Sequence, residues 1–156
     1  MKIGIIVYSQ TGNTSLVAHK IKEKLIEVEH VVNIELIKAS GDIHPGLTNV
    51  RLDNPPDISS YDAVIIAAGV MAFSMSPVIA AFINQTVSLK NKKVACFVTH
   101  FFPFTGMGGS QAVAQMKDAC EKKGASVIGT GVISWSGFSR ALKINELAGT
   151  FSSLFK

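Results

Sequence analysis

Short apolar runs alternate with amphipathic stretches along the chain, and this alternation limits the possible folds more than any other feature. The apolar runs extend from Lys2 to Tyr8, Val31 to Ile37, Ala63 to Ala68, Val94 to Thr99 and Ser126 to Trp135. The third run carries no polar residue, as expected for a central strand that is buried on both faces. The sequence therefore predicts an α/β fold, a doubly wound five-stranded parallel sheet with helices on both faces.

Four amphipathic stretches predict the helices. They extend from Thr14 to Val28, from Pro77 past Ile83, from Ser110 to Lys123 and from Ala141 to Phe155, with Ser76 as the N-cap of the second. The side chains predicted to face the sheet are Val17, Ile21, Leu25, Val28, Val78, Ile79, Phe82, Ile83, Val113, Met116, Cys120, Ile144, Leu147, Phe151 and Leu154. Residues 38–60 are rich in proline and glycine and are predicted to form a mostly irregular crossover, with one short helical turn at most.

The length of 156 residues suits one domain with its own core, so a single domain over residues 1–156 is predicted. No apolar run approaches the roughly 18 residues that a membrane-crossing helix needs. The apolar segment that follows Met1 is too short for a secretory signal and leads directly into turn residues. We therefore expect a cytoplasmic protein with no membrane partner.

Net charge and cysteine content narrow the function classes further. The formal net charge is +4, but the lysines are spread over several helix faces and are not clustered with aromatic residues, so no nucleic-acid partner is expected. Cys96 and Cys120 belong to no CxxC motif and have no histidine pattern near them. Both are predicted to be small buried hydrophobic side chains, with no metal bound.

Ligands of open parallel sheets bind beyond the carboxyl ends of the strands, where the strand order reverses. Three loops of this chain lie there, at residues 9–14, 69–76 and 100–109. The first reads Ser9-Gln10-Thr11-Gly12-Asn13-Thr14 and leads into a helix. Free N–H groups and the positive end of the helix dipole favour a phosphate there, and glycine lets the chain wrap closely around it. The loop has no Lys or Arg, so neutral donors would hold the phosphate.

The segment Tyr8-Ser9-Gln10-Thr11-Gly12-Asn13-Thr14 resembles the FMN-phosphate loop of the flavodoxin family, at the correct place after the first strand. Ser60-Tyr61-Asp62 before the third strand and Lys123-Gly124-Ala125 before the fifth are similar to that family as well, so the resemblance covers nearly the whole chain. It implies a flavodoxin-like sheet with strand order 2-1-3-4-5 and FMN as the cofactor. It also implies that residues 9–14 hold the phosphate, while the second and third loops flank the isoalloxazine ring.

Apolar and aromatic residues of the second and third loops are the candidates for the ring site. Besides the phosphate loop, the predicted cofactor contacts are Met71, Ala72, Phe73, Thr99, His100, Phe101 and Gly106, with Phe102 and Phe104 as further aromatic candidates. Phe73 is either a wall of the flavin site or a core or rim residue. His100 is either a proton donor or a histidine that stabilises its loop. Gly106, Gly108 and Gly109 are predicted to form a flexible stretch that could either close over the ring or open to admit a substrate.

Other phosphate sites on similar sheets do not match this sequence. The GxxxxGK[ST] motif of a P-loop and the GxGxxG motif of dinucleotide-binding folds are absent. The paired acids of a receiver domain and the cysteine nucleophile of a phosphatase are both missing after the first strand, where Tyr8 and Ser9 stand. FMN therefore remains the best candidate ligand.

Three departures from the flavodoxin pattern bear on function. The second and third loops lack the stacking Trp or Tyr of many flavodoxins, and the second loop has a glycine only at its base, Gly69. No Asp or Glu occurs from Ala63 through Lys117. Without acids to repel it, reduced FMN is expected to form more easily than in acidic relatives. Three functions stay open: an electron carrier for a redox partner protein, an FMN-dependent NAD(P)H reductase of a quinone or other small acceptor, and a ligand-free scaffold.

Overall fold

The computed structural model describes residues 1–86, 88–102, 108–137 and 139–156. In chain order its elements are β1 (Lys2–Tyr8), α1 (Asn13–Glu27), β2 (Val31–Leu36), β3 (Lys38–Ser40), β4 (Arg51–Asp53), β5 (Ala63–Gly69), α2 (Pro77–Gln85), β6 (Lys93–His100), α3 (Gly109–Lys122), β7 (Ser126–Ser134) and α4 (Arg140–Leu154). Five strands form one parallel sheet in the order β2-β1-β5-β6-β7. Counted within the sheet, this is the predicted order 2-1-3-4-5, and the predicted fold class is confirmed.

The sheet separates two hydrophobic clusters, because successive side chains of a strand point to opposite faces. On β5, Ile65 and Ala67 belong to the cluster with α1 and α4, whereas Val64 and Ile66 belong to the cluster with α2 and α3. All residues of β5 except its last, Gly69, are buried, as the continuous apolar run predicts. In the part of the chain that the structure describes, no helix is both long and apolar enough to cross a membrane.

The crossover after β2 differs from the prediction. Residues 38–60 hold no helical turn; instead β3 and β4 pair antiparallel, with Ala39 opposite Leu52. Gly41 and Gly46 adopt positive φ angles of 89° and 80° in the connection, which lets the chain reverse. The Ser40 hydroxyl donates to Asp53 Oδ1 at 2.6 Å and joins the two strands further. Strands of three residues are too short to show an alternating pattern of apolar and polar residues. Only the turn-forming residues of this segment could therefore be recognised in the sequence.

Most of the predicted core is buried, with exceptions at helix ends. Val28 is half-exposed because α1 ends at Glu27, and Glu29 then takes a φ angle of 70°. Ala18 is buried on the same helix instead. At the other end of the chain Leu154 is only partly buried, while Phe155, just beyond α4, is fully buried. Sequence periodicity places the helix faces correctly but not the point where each helix stops.

The two cysteines are buried, as predicted. Cys96 on β6 and Cys120 on α3 face each other with their Sγ atoms 4.0 Å apart. The hydrogen bond with Cys120, together with burial, raises the pKa of the Cys96 thiol well above its usual value. Cys96 therefore stays a neutral thiol, consistent with a packing role.

Candidate functional site

A cleft of about 260 Å³ opens at the carboxyl ends of β1, β5 and β6. It is lined by Tyr8, Gln10, Thr11, Asn13, Thr14, Gly69, Val70, Met71, Ser76, Thr99, His100 and Phe101. The first and second loops and the end of β6 thus meet where the topology predicts a ligand. We call this space the cleft.

The phosphate loop, residues 9–14, ends in a helix start that is open to ligands. Gly12 adopts a left-handed conformation with φ at 90°, and its N–H donates to the Ser9 hydroxyl at 3.0 Å. The first backbone hydrogen bond of α1 runs from the Leu16 N–H to the Gly12 carbonyl at 3.0 Å. The N–H groups of residues 13–15 precede it and have no carbonyl of the helix to bind. Within the described part of the chain no side chain caps α1, so these donors can serve an anion.

The next helix at this edge, α2, begins differently. Ser76 caps it by accepting a hydrogen bond from the Val78 N–H at 3.2 Å. Pro77 occupies the first helical position and has no N–H to donate. Of these two helices at the cleft, α1 therefore offers more free donors, which agrees with the sequence-based choice of its loop for the phosphate.

Thr14 and Thr99 join the phosphate loop to the end of β6. Their hydroxyl oxygens lie 2.7 Å apart, and both residues are buried. Two hydroxyls that bond each other use one proton between them, so the pair keeps one O–H that can donate to a ligand. Thr14 thus has a structural contact that its sequence position did not indicate, and at most part of its hydrogen-bonding capacity is left for a phosphate.

The second loop makes a tight and strained turn. Met71 and Ser74 exchange backbone hydrogen bonds, both 3.0 Å long, around Ala72 and Phe73. These two residues have φ angles of 46° and 63°, the left-handed conformation of both central residues in a type I′ turn. Such turns usually carry Asn and Gly, because a side chain costs about 1–2 kcal/mol per residue in this conformation. The strain lies beside the cleft, where functional sites commonly store it.

Exposed aromatic side chains cluster next to this turn. The rings of Phe73 and Phe102 stack with centroids 5.6 Å apart, and Phe101 meets Phe102 edge-on at 6.5 Å. A second hollow of about 340 Å³ is lined by Val70, Ala72, Phe73, His100, Phe101 and Phe102. We call it the aromatic hollow. It shares Val70, His100 and Phe101 with the cleft, so the two spaces are neighbours.

The glycines of the third loop do not all behave as predicted. Gly108 and Gly109 are buried, and a Cβ on Gly108 would lie 2.6 Å from the Cα of Phe73. Gly109 is the first residue of α3, and a Cβ there would lie 2.5 Å from Val132 Cγ1. The prediction of a flexible stretch is therefore wrong for these two, which permit close packing instead. Phe104 and Gly106 lie outside the described residues.

His100 is a buried polar side chain that lines both the cleft and the aromatic hollow. It is 7% exposed, and neither ring nitrogen has a hydrogen-bond partner among the residues that the structure describes. Burial lowers the pKa of His100 below its usual value, so the ring is neutral at neutral pH. Tyr8 is the other titratable residue in the described lining of the cleft.

These features match the chemical demands of FMN. The α1 N-terminus and the hydroxyl and amide side chains of the phosphate loop supply neutral donors for a phosphate. The aromatic hollow would supply apolar walls for a flat ring, and the nitrogens of His100, which have no partner among the described residues, would supply a polar contact for its edge. The residues present therefore fit the cofactor that the phosphate loop indicates.

A family model described as a flavodoxin domain matches residues 4–128 of the chain. The chain belongs to the flavodoxin family. FMN is the cofactor of this family, and flavodoxins pass electrons to redox partners. The recognition drawn from the Tyr8–Thr14 segment is thereby confirmed, and so is the cofactor predicted from it at the level of the family.

Individual relatives agree with this assignment. Flavodoxin of Megasphaera elsdenii is 28% identical over 137 residues, which cover 85% of each of the two proteins. The oxidised flavodoxin 1 of Bacillus cereus superposes with a TM-score of 0.73 at 20% identity and covers all of both chains. The two-electron-reduced M. elsdenii flavodoxin gives a TM-score of 0.62 at 20% identity, over 95% of this chain and 98% of that one. At these identities the structural matches establish the fold.

The sequence-based site omits several residues that line the cleft. Tyr8 and Gly69 are the last residues of β1 and β5, and Val70 follows Gly69 directly. Ser76 was assigned only as a helix cap. A rule that counts the last residue of each central strand as part of the site would have found Tyr8 and Gly69, because ligands of such sheets bind at the strand ends and both residues line the cleft.

Proposed function

We propose that this chain binds FMN in the cleft, with its phosphate on residues 9–14 and its isoalloxazine ring toward the second and third loops, and carries electrons between redox partner proteins. One observation carries this proposal most directly. The N-terminus of α1, which has no side-chain cap among the described residues, opens into the same cleft as the buried His100, and this cleft adjoins the aromatic hollow. A ligand with an anionic end and a flat apolar end satisfies both halves of that space.

The charge pattern supports a phosphate held without cations. None of the described residues that line the cleft is a lysine, an arginine or an acid. A phosphate there gains hydrogen bonds from backbone N–H groups and the favourable end of the α1 dipole. Helix dipoles and hydroxyl groups stabilise an anion only at short range. This arrangement therefore favours a ligand whose phosphate lies directly at the N-terminus of α1.

The same charge pattern favours an acidic partner and an easily reduced cofactor. No Asp or Glu stands between Ala63 and Lys117, a span that includes the second and third loops. A carboxylate about 10 Å from an anionic reduced flavin would raise the free energy of that reduced state by about 1.7 kcal/mol at an effective dielectric constant near 20, before screening by salt. Without such acids the reduced cofactor forms more readily, and acidic groups on a partner can approach.

Binding of FMN and riboflavin to the purified chain tests the proposal. We expect FMN to bind more tightly than riboflavin, since only FMN has the phosphate. Thr11→Ala removes an exposed hydroxyl that lines the cleft, and one hydrogen bond to a charged group contributes about 1.5–3 kcal/mol. FMN affinity should fall about tenfold, while riboflavin affinity stays unchanged. Thr150→Ala, on an exposed part of α4, is the matched control.

Two results would contradict the proposal. Equal loss of both ligands in Thr11→Ala would mean that the loop does not hold the phosphate. Rapid reduction of the FMN-loaded protein by NAD(P)H alone, without a partner protein, would indicate a reductase in place of a carrier.

A further inference from the structure

We propose that His100 takes up a proton when FMN bound in the cleft is reduced, so that a side chain of this protein balances the charge of the reduced cofactor. The inference rests on the proposed FMN binding and assigns a role to a side chain whose ring nitrogens have no hydrogen-bond partner among the described residues. Reduction would then be coupled to pH through one identifiable imidazole.

The lack of partners at His100 is the first observation. A buried polar group without a hydrogen bond costs free energy, and folded proteins keep few of them. In the described structure neither ring nitrogen of His100 has a hydrogen-bond partner, and the residue is only 7% exposed to solvent. Such a group is explained when a ligand supplies the missing partner.

The position of the ring is the second observation. His100 ends β6, and its carbonyl accepts a hydrogen bond from the Trp135 N–H at 2.7 Å, which fixes the backbone. Gly109 lies against the ring so closely that a Cβ there would be 3.2 Å from Nε2. Protein atoms thus hold the ring on one side, while the cleft and the aromatic hollow adjoin it.

The charges around His100 are the third observation. Tyr8, the last residue of β1, is the one other titratable residue in the described lining of the cleft, and the phosphate loop contains none. The second loop, residues 69–76, and the first two turns of α3, residues 109–116, contain no titratable residue. The end of β7, residues 132–134, contains none either. With no carboxylate on these elements to favour the charged form, a negative charge brought by a ligand becomes the main force that can protonate the ring.

The proposed step balances as follows. A donor protein is oxidised and passes two electrons to FMN, which takes one proton and is left with one additional negative charge. A second proton moves from water to a ring nitrogen of His100, and no bond to carbon forms or breaks. Two protons thus accompany two electrons, and the ring and the cofactor together gain no net charge.

Redox titration of the FMN-loaded full chain at several pH values near neutrality tests this proposal. We expect the parent to take up two protons per two electrons, and His100→Gln to take up one, so that the pH dependence of its two-electron midpoint potential is halved. Glutamine keeps a polar side chain but cannot take up the proton. His19→Gln, which removes an exposed histidine of α1, should behave as the parent does.

Nitrogen-15 NMR of the parent provides a readout that needs no substitution at His100. The ring should be neutral with oxidised FMN and charged with reduced FMN. An imidazole that stays neutral in both states would overturn the inference, and so would an unchanged pH dependence in a folded His100→Gln variant. Failure to bind FMN would overturn the proposed function as well, whereas FMN binding without proton uptake by His100 overturns this inference alone.

Discussion

The helices α1 and α3 both begin after a glycine in the left-handed conformation, but the surroundings of the two glycines differ. Each has a left-handed glycine as its N-cap, Gly12 with φ at 90° and Gly108 with φ at 100°, and in the described structure neither has a side-chain cap. A Cβ on Gly12 would meet nothing within 4 Å, whereas one on Gly108 would collide with the backbone of Phe73. The first glycine leaves a helix terminus open to a ligand, and the second lets the strained turn of the second loop pack against α3.

This difference teaches that glycine before a helix does not by itself mark a binding loop. At Gly12 the neighbouring side chains are polar and the space in front of the helix is open. At Gly108 the space is filled by an aromatic residue, and at the next position Gly109 is covered by Val132 and His100. The surroundings of the glycine decide whether its helix offers donors to a ligand or contacts to the protein.

The largest effect that tests this comparison is expected from the pair Gly108→Ala and Gly12→Ala. Alanine at either position is strained by about 1–2 kcal/mol because of the positive φ. At Gly108 the collision with the Phe73 backbone adds about 1–3 kcal/mol of overpacking. In urea titrations Gly108→Ala should therefore lose about 3 kcal/mol of unfolding free energy, and Gly12→Ala about 1 kcal/mol.

The two variants should also differ in the property that is affected, FMN binding or stability. Gly12→Ala changes the phosphate loop, so we expect weaker binding of FMN with little loss of stability. If both variants lose the same stability, Gly108 is not packed against Phe73 as the structure places it, and the contrast between the two helix starts fails.

These two glycines also show how far the sequence reaches. The loop around Gly12 is recognisable because the phosphate binding proposed for it depends on a contiguous run of residue types next to a strand and a helix. The packing of Gly108 depends on Phe73, which lies 35 positions earlier and meets it only through the fold. Local sequence patterns are therefore enough to predict the proposed phosphate end of the site, whereas the proposed ring end depends on the tertiary structure.

The same reasoning explains which other features of the structure could be predicted from the sequence and which could not. The alternation of apolar runs predicts the five-stranded sheet because each strand is long and buried. The β3–β4 pair was missed since its stability comes from a turn and from contacts with the core, not from periodicity. For His100 the sequence left two roles open. In the described structure its ring nitrogens have no hydrogen-bond partner and Gly109 of α3 lies against the ring, which favours a ligand contact and could not be seen in the sequence.

A smaller effect, of opposite sign, is expected at the turn that packs against Gly108. Ala72 is exposed and has a φ angle of 46°. Ala72→Gly relieves that strain, although glycine also gives the unfolded chain more freedom, so we expect a net stabilisation of about 0.5–1 kcal/mol. Urea titration measures it, with Ala114→Gly on an exposed position of α3 as the control.

The control should be destabilised by about 1 kcal/mol, because glycine is unfavourable inside a helix. Destabilisation of both variants would show that Ala72 does not adopt the left-handed conformation and that the second loop is not strained.

The smallest expected effect is a pH dependence of stability that comes from His100, since a single imidazole contributes it. Burial lowers the pKa of His100 in the folded state below its value in the unfolded chain, about 6.5. Between those two pKa values the unfolded state binds more protons, so the stabilisation is present above about pH 6.5 and is lost as the pH falls toward the folded-state pKa. Unfolding free energies of the ligand-free parent and His100→Gln, measured by urea titration from about pH 8 to about pH 5, should therefore diverge on the acid side, with the parent losing more.

His19→Gln controls for the loss of a histidine as such. Parallel pH profiles for the parent and His100→Gln would mean that the ring is solvated in the folded protein. The proposed ring end of the site would then lack the feature that distinguishes it from the phosphate end, a buried imidazole without a partner among the described residues.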